Sequence, residues 1–318
     1  MSIPKDSKLP KTGTVSMPAV MARLEEDIRY HHSDEKRKNA LSWGIDSLDR
    51  LTLGLLPSRL AVLVSDSPAY PRWVVWRMVH QLVTRDKVPV VVATGDLSPE
   101  RWLLNLALRA AGLSREDYWR RNLNQQALEL FRIEMERLKA APLSFISPID
   151  DNLLSAAEEA RNAHGARLLV VDPLSALLTT PNKSERKDAK QVMDALKDLA
   201  TRTSLAVVVV HRTSGLPLDD DAAEDCYHAR ADLYAEVSWE TPRSPYLFEL
   251  PKESKPWLEE EKAKRVFEVH ILHNLDGGSG RVRLNCDKST HRLFDPHPRS
   301  NVQQLLAEMA REGDSPLA

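Results

Sequence analysis

The segment Leu60–Val75, LAVLVSDSPAYPRWVV, is where phosphate chemistry is expected in this chain. Its pattern predicts an apolar strand, a short loop and a helix. A phosphate-binding loop carries G-x-x-x-x-G-K-[ST], because glycines admit backbone N–H groups, lysine neutralises the phosphate and the hydroxyl holds Mg²⁺. The loop here reads Ser65, Asp66, Ser67, Pro68, Ala69, Tyr70, Pro71 and Arg72. It has no glycine or lysine, its prolines lack N–H donors, and Asp66 would repel phosphate.

The composition predicts a globular protein without an overall nucleic-acid signature. The 318 residues are 42% hydrophobic, enough for one large domain or two small ones, and the net charge of −2 would confine any DNA contact to a local surface. Cys226 and Cys286 lack metal or disulfide spacing, which predicts reduced thiols. Since no apolar run reaches the length of a membrane span and the N-terminus is too polar for a signal peptide, we expect a cytoplasmic protein.

Strands and helices alternate from Leu41 onward. Runs of Val and Leu predict strands covered on both faces, and hence a mostly parallel sheet of the α/β class. The predicted strands are Leu60–Val64, Val88–Ala93, Leu143–Ile146, Arg167–Val171 and Leu205–Val210. The predicted helices are Arg72–Arg85, Pro99–Ala111, Arg115–Ala140, Asn152–His164 and Lys183–Thr203. An added antiparallel edge is predicted from Leu233–Trp239, Val266–Leu272 and Arg281–Cys286.

Three regions are predicted along the chain: a flexible arm with a docking helix (1–40), one large domain (41–295), and a short helix with a tail (296–318). The first helix is predicted over Met17–His31, where Val20, Leu24 and Ile28 form one apolar stripe. That stripe would pack on its own domain or on a neighbouring subunit. The polar segment Glu240–Arg265 is predicted to be an exposed loop, and Val302–Arg311 the last helix.

The segment Trp43–Leu60, WGIDSLDRLTLGLLPSRL, resembles the entry to the ATPase domain of DnaB-type replicative helicases and their RecA-like and KaiC-like relatives. In that family, G-[IF]-x-x-L-D-x-L-x-x-G-L-x-P-G-x-L leads into the strand before the phosphate loop. The matching residues are Gly44, Leu48, Asp49, Leu51, Gly54, Leu55, Pro57 and Leu60; Ser58 departs from the usual glycine. The resemblance implies a RecA-like, mostly parallel sheet flanked by helices.

The resemblance continues in order to Phe294. Ala93–Ala107 is similar to the strand and helix around the family's catalytic glutamate, and Ser114–Pro142 to the helical insertion of the DnaB branch. Leu168–Leu178 is similar to the Walker B strand, Val207–Gly215 to the strand that senses the γ-phosphate, and Phe267–Asp295 to the C-terminal hairpin with the arginine finger. The helix Met17–His31 lies where the family's linker helix docks on an adjacent subunit.

Several functional positions of that family carry other residues here. The loop lysine corresponds to Pro71 or Arg72, and the Mg²⁺-binding hydroxyl to Arg72 or Trp73. Asp96 replaces the catalytic glutamate with a side chain about one bond, roughly 1.5 Å, shorter, which matters for catalysis. The resemblance implies that Asp172 is the Walker B aspartate. The γ-phosphate sensor corresponds to His211 or Arg212, and the K-x-R pair to His273 and Leu275.

Structural interpretations stand beside these functional ones. Asp172 could cap the turn after its strand. Asp96 could simply precede a helix that has Ser98 as its N-cap and Pro99 at its first position. Trp73 and Trp76 would fill the space that a nucleotide leaves empty.

Two loops of this chain correspond to the loops that contact DNA in the family. Thr179–Lys190 carries a basic cluster of Lys183, Arg186, Lys187 and Lys190, which could bind the phosphodiester backbone. His211–Tyr227 is acidic and would repel it, through Asp219, Asp220, Asp221, Glu224 and Asp225. Charge runs are more often solvated faces than binding sites.

We therefore predict a catalytically inactive DnaB/RecA-like helicase homologue, a pseudo-ATPase with vestigial Asp96, Asp172 and His211 and with no cofactor or metal. It would be an oligomeric scaffold or regulator in DNA replication, mobile-element or defence machinery, assembled with itself or other proteins through RecA-type interfaces and the helix Met17–His31. One alternative is a divergent ATP-dependent helicase or ATPase that binds ATP and Mg²⁺ through Arg72, Asp96 and Asp172. Another is a non-catalytic subunit that binds single-stranded DNA.

Overall fold

The computed structural model describes residues 16–22, 25, 39–67, 69–147, 149, 152–178, 189–212, 227–240, 266–287 and 289–295. The chain divides into two compact units, Met1–Ala40 and Leu41–Ala318. In the first unit, residues 17–22 are helical and exposed, within the predicted helix Met17–His31; the rest of that helix, except Glu25, lies outside the described residues. No helix of the described part is long and apolar enough to cross a membrane.

The described part of the second unit contains one nine-stranded sheet in the order β3-β2-β4-β5-β1-β6-β7-β8-β9. The strands are β1 (Leu60–Ser65), β2 (Val90–Thr94), β3 (Leu143–Ile146), β4 (Leu168–Asp172), β5 (Ala206–Arg212), β6 (Leu233–Glu240), β7 (Val266–Asn274), β8 (Gly280–Cys286) and β9 (Leu293–Phe294). All pairs from β3 to β6 along this order are parallel. The predicted α/β class and the RecA-like architecture are confirmed.

Helices cover both faces of the sheet, as the uninterrupted apolar strands predict. They are α1 (Asp46–Thr52), α2 (Ala69–Thr84), α3 (Pro99–Ala111), α4 (Arg115–Trp119), α5 (Gln125–Lys139), α6 (Leu153–His164), α7 (Ser175–Leu178) and α8 (Ala189–Thr203). Alternate residues of β1 enter different cores. Ala61 and Leu63 pack with α2 and α3, whereas Leu60, Val62 and Val64 pack with α6 and α8.

The placement of β6 corrects one prediction. Leu233–Trp239 was expected in an antiparallel edge, but β6 pairs in parallel with β1 and antiparallel only with β7. Residues 213–232 connect β5 to β6, which is long enough for the crossover that parallel strands require. The antiparallel edge therefore begins with the β6–β7 pair.

The predicted helical insertion contains two helices. Ser114 caps α4 by accepting from the Asp117 N–H, and Asn124 caps α5 by accepting from the Ala127 N–H. Arg121, between them, has φ +59°, so the chain turns there instead of continuing one helix. The prediction that Arg115–Ala140 is largely helical is therefore confirmed, with the helical residues divided between α4 and α5 by these local caps.

The predicted C-terminal hairpin is formed by β7 and β8. Its turn packs on the end of α1, where the Gly278 N–H donates to the Leu51 carbonyl. A Cβ built on Gly277 would lie 2.5 Å from the Thr52 carbonyl oxygen, so only glycine fits this contact. The predicted loop beyond Glu240 and the predicted helix Val302–Arg311 lie outside the described residues.

Candidate functional site

The loop after β1 is closed by hydrogen bonds within the protein. Ser65 Oγ donates to Asp66 and accepts from the Ser67 N–H at 3.3 Å, and the Tyr70 N–H donates to the Ser67 carbonyl. Arg212, at the end of β5, donates to the Asp66 carbonyl at 3.2 Å. The helix α2 begins at Ala69, while Pro68 lies outside the described residues. Part of this backbone is therefore already engaged by its own side chains.

Arg72 is the centre of the candidate site. It lies in the first turn of α2, and its side chain is only 9% exposed. Its Nε donates to Asp172 Oδ1 at 2.7 Å, and its Nη2 lies 2.6 Å from each oxygen of Asp96. Burial by itself would lower the pKa of Arg72, but the two carboxylates raise it, so the guanidinium stays charged.

Asp172, at the end of β4, is completely buried. Its Oδ1 accepts from Arg72, and its Oδ2 accepts from the Trp102 indole N–H at 3.0 Å. Both oxygens are thus bound by side chains of α2 and α3. The Asp172 side chain therefore does not cap the turn that follows β4, as the structural interpretation suggested, because its bonds go to α2 and α3.

Asp96 lies between β2 and α3, and its side chain is 45% exposed. The structural interpretation of its surroundings is confirmed, because Ser98 is the N-cap of α3 and Pro99 its first residue. Asp96 also contacts Arg72, so it belongs to the same group of side chains as Asp172. Parallel strands β2 and β4 place Asp96 and Asp172 at the same sheet edge.

His211 lies near the end of β5 and is 2% exposed. Neither ring nitrogen has a hydrogen-bond partner among the described residues, and the ring packs against Tyr227 with centroids 4.5 Å apart. Burial lowers its pKa to about 4. The imidazole is therefore neutral near pH 7.

Aromatic side chains fill the space beside the loop. Trp73 stacks on His291 with centroids 4.3 Å apart and on Phe267 at 5.6 Å. Trp239 and Tyr70 meet Trp73 edge-on at 5.0 and 5.3 Å. This cluster joins the start of α2 to the C-terminal strands.

The family-like entry segment shows why two of its residues matter. Asp49 accepts from Ser42 Oγ at 2.6 Å and from the Trp43 N–H at 2.7 Å, which ties α1 to the chain before it. Ser58 has φ +65°, a left-handed conformation that favours the glycine usual in the family.

The other predicted positions are not brought into this site by any described contact. The His273 ring lies beside that of His228, with ring centroids 5.7 Å apart, and Leu275 is 59% exposed. Lys190 lies at the start of α8, whereas Lys183, Arg186 and Lys187 and the acidic loop lie outside the described residues. The described residues contain no group of three or more His, Cys, Asp or Glu placed to hold a metal.

Sequence reasoning missed the partners that complete the site. Trp102 was not predicted to bind Asp172, and Trp239, Phe267 and His291 were not predicted to contact Trp73. The position of Trp102 in the first turn of α3 follows from its cap, but its contact with a residue 70 positions away has no local signal. These contacts depend on sheet order and helix packing.

A family model described as AAA domain matches residues 73–214, under half of the chain; this range begins directly after Arg72 and includes Asp96, Asp172 and His211. No curated protein sequence matches the chain.

Solved structures match over most of the chain. One, described as an ATPase domain, has a TM-score of 0.66 at 15% identity, covering 89% of this chain and 99% of that one. A DnaB-like replicative helicase, described with its interactions with primase, has the same TM-score, identity and coverage of this chain, and 67% of its own length is covered. At this identity the likeness concerns fold. The chain thus has a DnaB/RecA-like fold and is similar to helicase ATPase domains.

Proposed function

We propose that this protein is a catalytically inactive relative of DnaB-type ATPases, and that it acts as an oligomeric scaffold or regulator in DNA replication, mobile-element or defence machinery in the cytoplasm. The observation that carries the proposal is the bridge from Arg72 to Asp172 and Asp96. Arg72 occupies the carboxylates that would otherwise be available to bind a metal ion and to position a water molecule.

The residues present do not fit a Mg²⁺–nucleotide complex. Mg²⁺ is usually bound through one or two carboxylates together with phosphates and waters, in near-octahedral geometry. Asp172 offers no unengaged oxygen, since Arg72 and Trp102 bind one each. A divalent cation there would also lie beside the buried guanidinium, where like charges repel strongly.

The residue types beside the bridge support the same conclusion. The loop supplies no lysine for the β- and γ-phosphates, and the hairpin position that carries the arginine finger in the family is Leu275. An arginine finger alone contributes about 10³–10⁵-fold in rate. Retaining Asp172 without these groups supports a structural role for it.

Exposed apolar side chains support assembly. Trp119 on α4 and Leu128, Leu130 and Ile133 on α5 are each 37–57% exposed. In the N-terminal unit, Met17, Val20 and Met21 are 45–70% exposed. Exposed apolar side chains of this kind favour binding to a partner protein. We propose that the N-terminal helix that includes residues 17–22 of one copy packs on the α4–α5 surface of another.

The decisive experiment measures nucleotide binding and hydrolysis by the full chain, with and without single-stranded DNA. We expect no ATP turnover above background and no Mg²⁺-dependent ATP binding by calorimetry. Turnover that Asp172→Ala abolishes would overturn the proposal in favour of the divergent ATPase. Sedimentation and electron microscopy of the same sample should reveal a ring, filament or other oligomer.

The DNA-binding alternative has a separate test. Filter binding to single-stranded DNA over a range of salt concentrations should show no salt-dependent binding if the protein acts only through protein partners. Salt-dependent binding that is lost when Lys183, Arg186, Lys187 and Lys190 are changed together to glutamine would support the DNA-binding subunit instead.

A further inference from the structure

A cavity of about 240 Å³ lies between α2, α3, α5 and the segment around β9. Four arginines line it: Arg77, Arg109, Arg137 and Arg292. Among the described lining residues, the single acid is Glu134, which already bonds His80 at 2.6 Å and Arg137 at 3.4 Å. The wall therefore carries an excess of positive charge.

Buried N–H donors at this cavity lack acceptors. Arg109 Nε, Trp73 Nε1 and Trp76 Nε1 are buried, and none has a hydrogen-bond partner among the described residues. The two tryptophans are each 5% exposed. Buried donors are normally paired. These three belong to side chains that line the cavity, and the four guanidinium groups of the wall carry further N–H donors, so the lining favours a ligand rich in acceptor oxygens.

Arg109 is a buried cation that a bound anion would stabilise. Its guanidinium lies 4.2 Å from the centroid of the Trp76 ring. Burial, and then Arg115, lower the pKa of Arg109 to about 9. An anion beside it would offset both effects, and guanidinium forks match phosphate oxygens geometrically.

We propose that this cavity binds a small phosphate-bearing anion, either inorganic phosphate or pyrophosphate or a small phosphate ester. The volume is below the range of about 300–1,000 Å³ typical of drug-sized ligands, which favours an anion smaller than a nucleoside triphosphate. The cavity differs from the Arg72 site. Trp102, which binds Asp172, packs edge-on against Trp76 at 6.0 Å, so these two rings lie between Asp172 and the cavity.

The test uses calorimetry and tryptophan fluorescence on the full chain, titrated with phosphate, pyrophosphate and glycerol phosphate, with chloride at matched ionic strength as the reference. We expect saturable binding of at least one phosphate compound and no response to chloride. Arg109→Gln should weaken that binding about tenfold or more. Preference for the ester would identify a small metabolite, and preference for phosphate or pyrophosphate a free anion.

Two further variants keep the test specific. Arg120→Gln changes an exposed arginine directly after α4, in an ion pair with Glu116, and should bind as the unaltered protein does. Trp76→Phe keeps a ring under Arg109 but removes one N–H donor, and should weaken binding about fivefold. No saturable binding, an equal response to chloride, or a folded Arg109→Gln protein with unchanged affinity would overturn the proposal.

Discussion

Arg72 shows how one residue changes what a sheet edge can do. In the family that the chain resembles, this part of the loop binds phosphate. Here the Arg72 guanidinium bonds Asp172, at the end of β4, and Asp96, two residues after the neighbouring strand β2. Asp172 is buried, so it requires this partner, whereas Asp96 is half-exposed and requires it less. The bridge therefore stabilises the fold chiefly through Asp172.

Removing the arginine should reveal this dependence. Arg72→Met leaves Asp172 buried without its cation, and we expect the free energy of unfolding to fall by about 3–5 kcal/mol in urea denaturation. Arg72→Met combined with Asp172→Asn should recover part of that loss. Arg202→Met, which breaks an exposed ion pair with Glu158, is the control and should cost at most about 1 kcal/mol. Equal losses in both single variants would contradict this role.

His211 should make stability depend on pH. Its pKa is about 4 in the folded protein against an ordinary 6.5, so between these values the unfolded chain binds a proton that the folded chain does not. Stability should therefore fall as pH falls from about 6.5 to 4, by about 1–3 kcal/mol. His291, whose pKa burial also lowers to about 4, acts in the same window.

The measurement is urea denaturation at several pH values. His211→Phe removes the titrating ring, and neither of its nitrogens loses a described hydrogen bond. We expect a shallower loss of stability towards pH 4 in this variant, with the remainder due in part to His291. An unchanged pH slope would contradict the assignment to His211.

At the scale of elements, the site depends on where α1, α2 and α3 begin and end. The cap at Ser98 starts α3, which places Trp102 one turn later beside Asp172. The hairpin turn fixes α1 through the Gly278 hydrogen bond to Leu51. Aromatic contacts of Trp73 then connect the start of α2 to β6 and β7.

Gly277 tests the contact between the hairpin and α1. In Gly277→Ala, the added carbon would meet the Thr52 carbonyl oxygen at 2.5 Å and Asn274 Nδ2 at 2.6 Å. We expect about 1–3 kcal/mol of destabilisation in thermal or urea unfolding. Ser279→Ala, at an exposed position of the same turn, should change stability by less than about 0.5 kcal/mol. Similar effects of the two changes would show that the turn does not depend on close packing.

The molecule has a hydrophobic core on each face of the sheet, and the helical insertion carries exposed apolar side chains. Strands β1, β2 and β4 are fully buried, whereas Leu130 and Ile133 on α5 remain 46% and 44% exposed. Their polar neighbours Arg132 and Glu136 are also exposed, so the helix offers a mixed surface suited to a partner.

Ile133→Glu should weaken self-association without unfolding the protein. A charge at this position costs desolvation only when a second copy covers it. We expect the apparent dissociation constant of the oligomer to rise about tenfold in sedimentation velocity, with an unchanged unfolding midpoint. Gln125→Glu adds the same side chain at the start of α5 and should leave association unchanged. Equal weakening by both variants would indicate a general charge effect.

The α/β class, the order of the elements and the hairpin were all predicted from local patterns in the chain. Uninterrupted Val and Leu runs exclude a solvated strand face, and Ser98-Pro99 is a local helix start; such signals lie within a few residues. The absence of glycine and lysine in the loop is likewise evident without a structure. The parallel pairing of β6 was not, because a strand's direction depends on the path of its connection.

The contacts of the altered residues, in contrast, depend on how distant segments pack together. Arg72, Asp96 and Asp172 come from three segments, and their hydrogen bonds form because β1, β2 and β4 end at one edge of the sheet. The arginine-lined cavity likewise combines α2, α3, α5 and the segment around β9. Local sequence determines helix propensity and capping. The pairing of Arg72 with Asp172, about a hundred residues away, forms only when packing has excluded water and brought the two groups together.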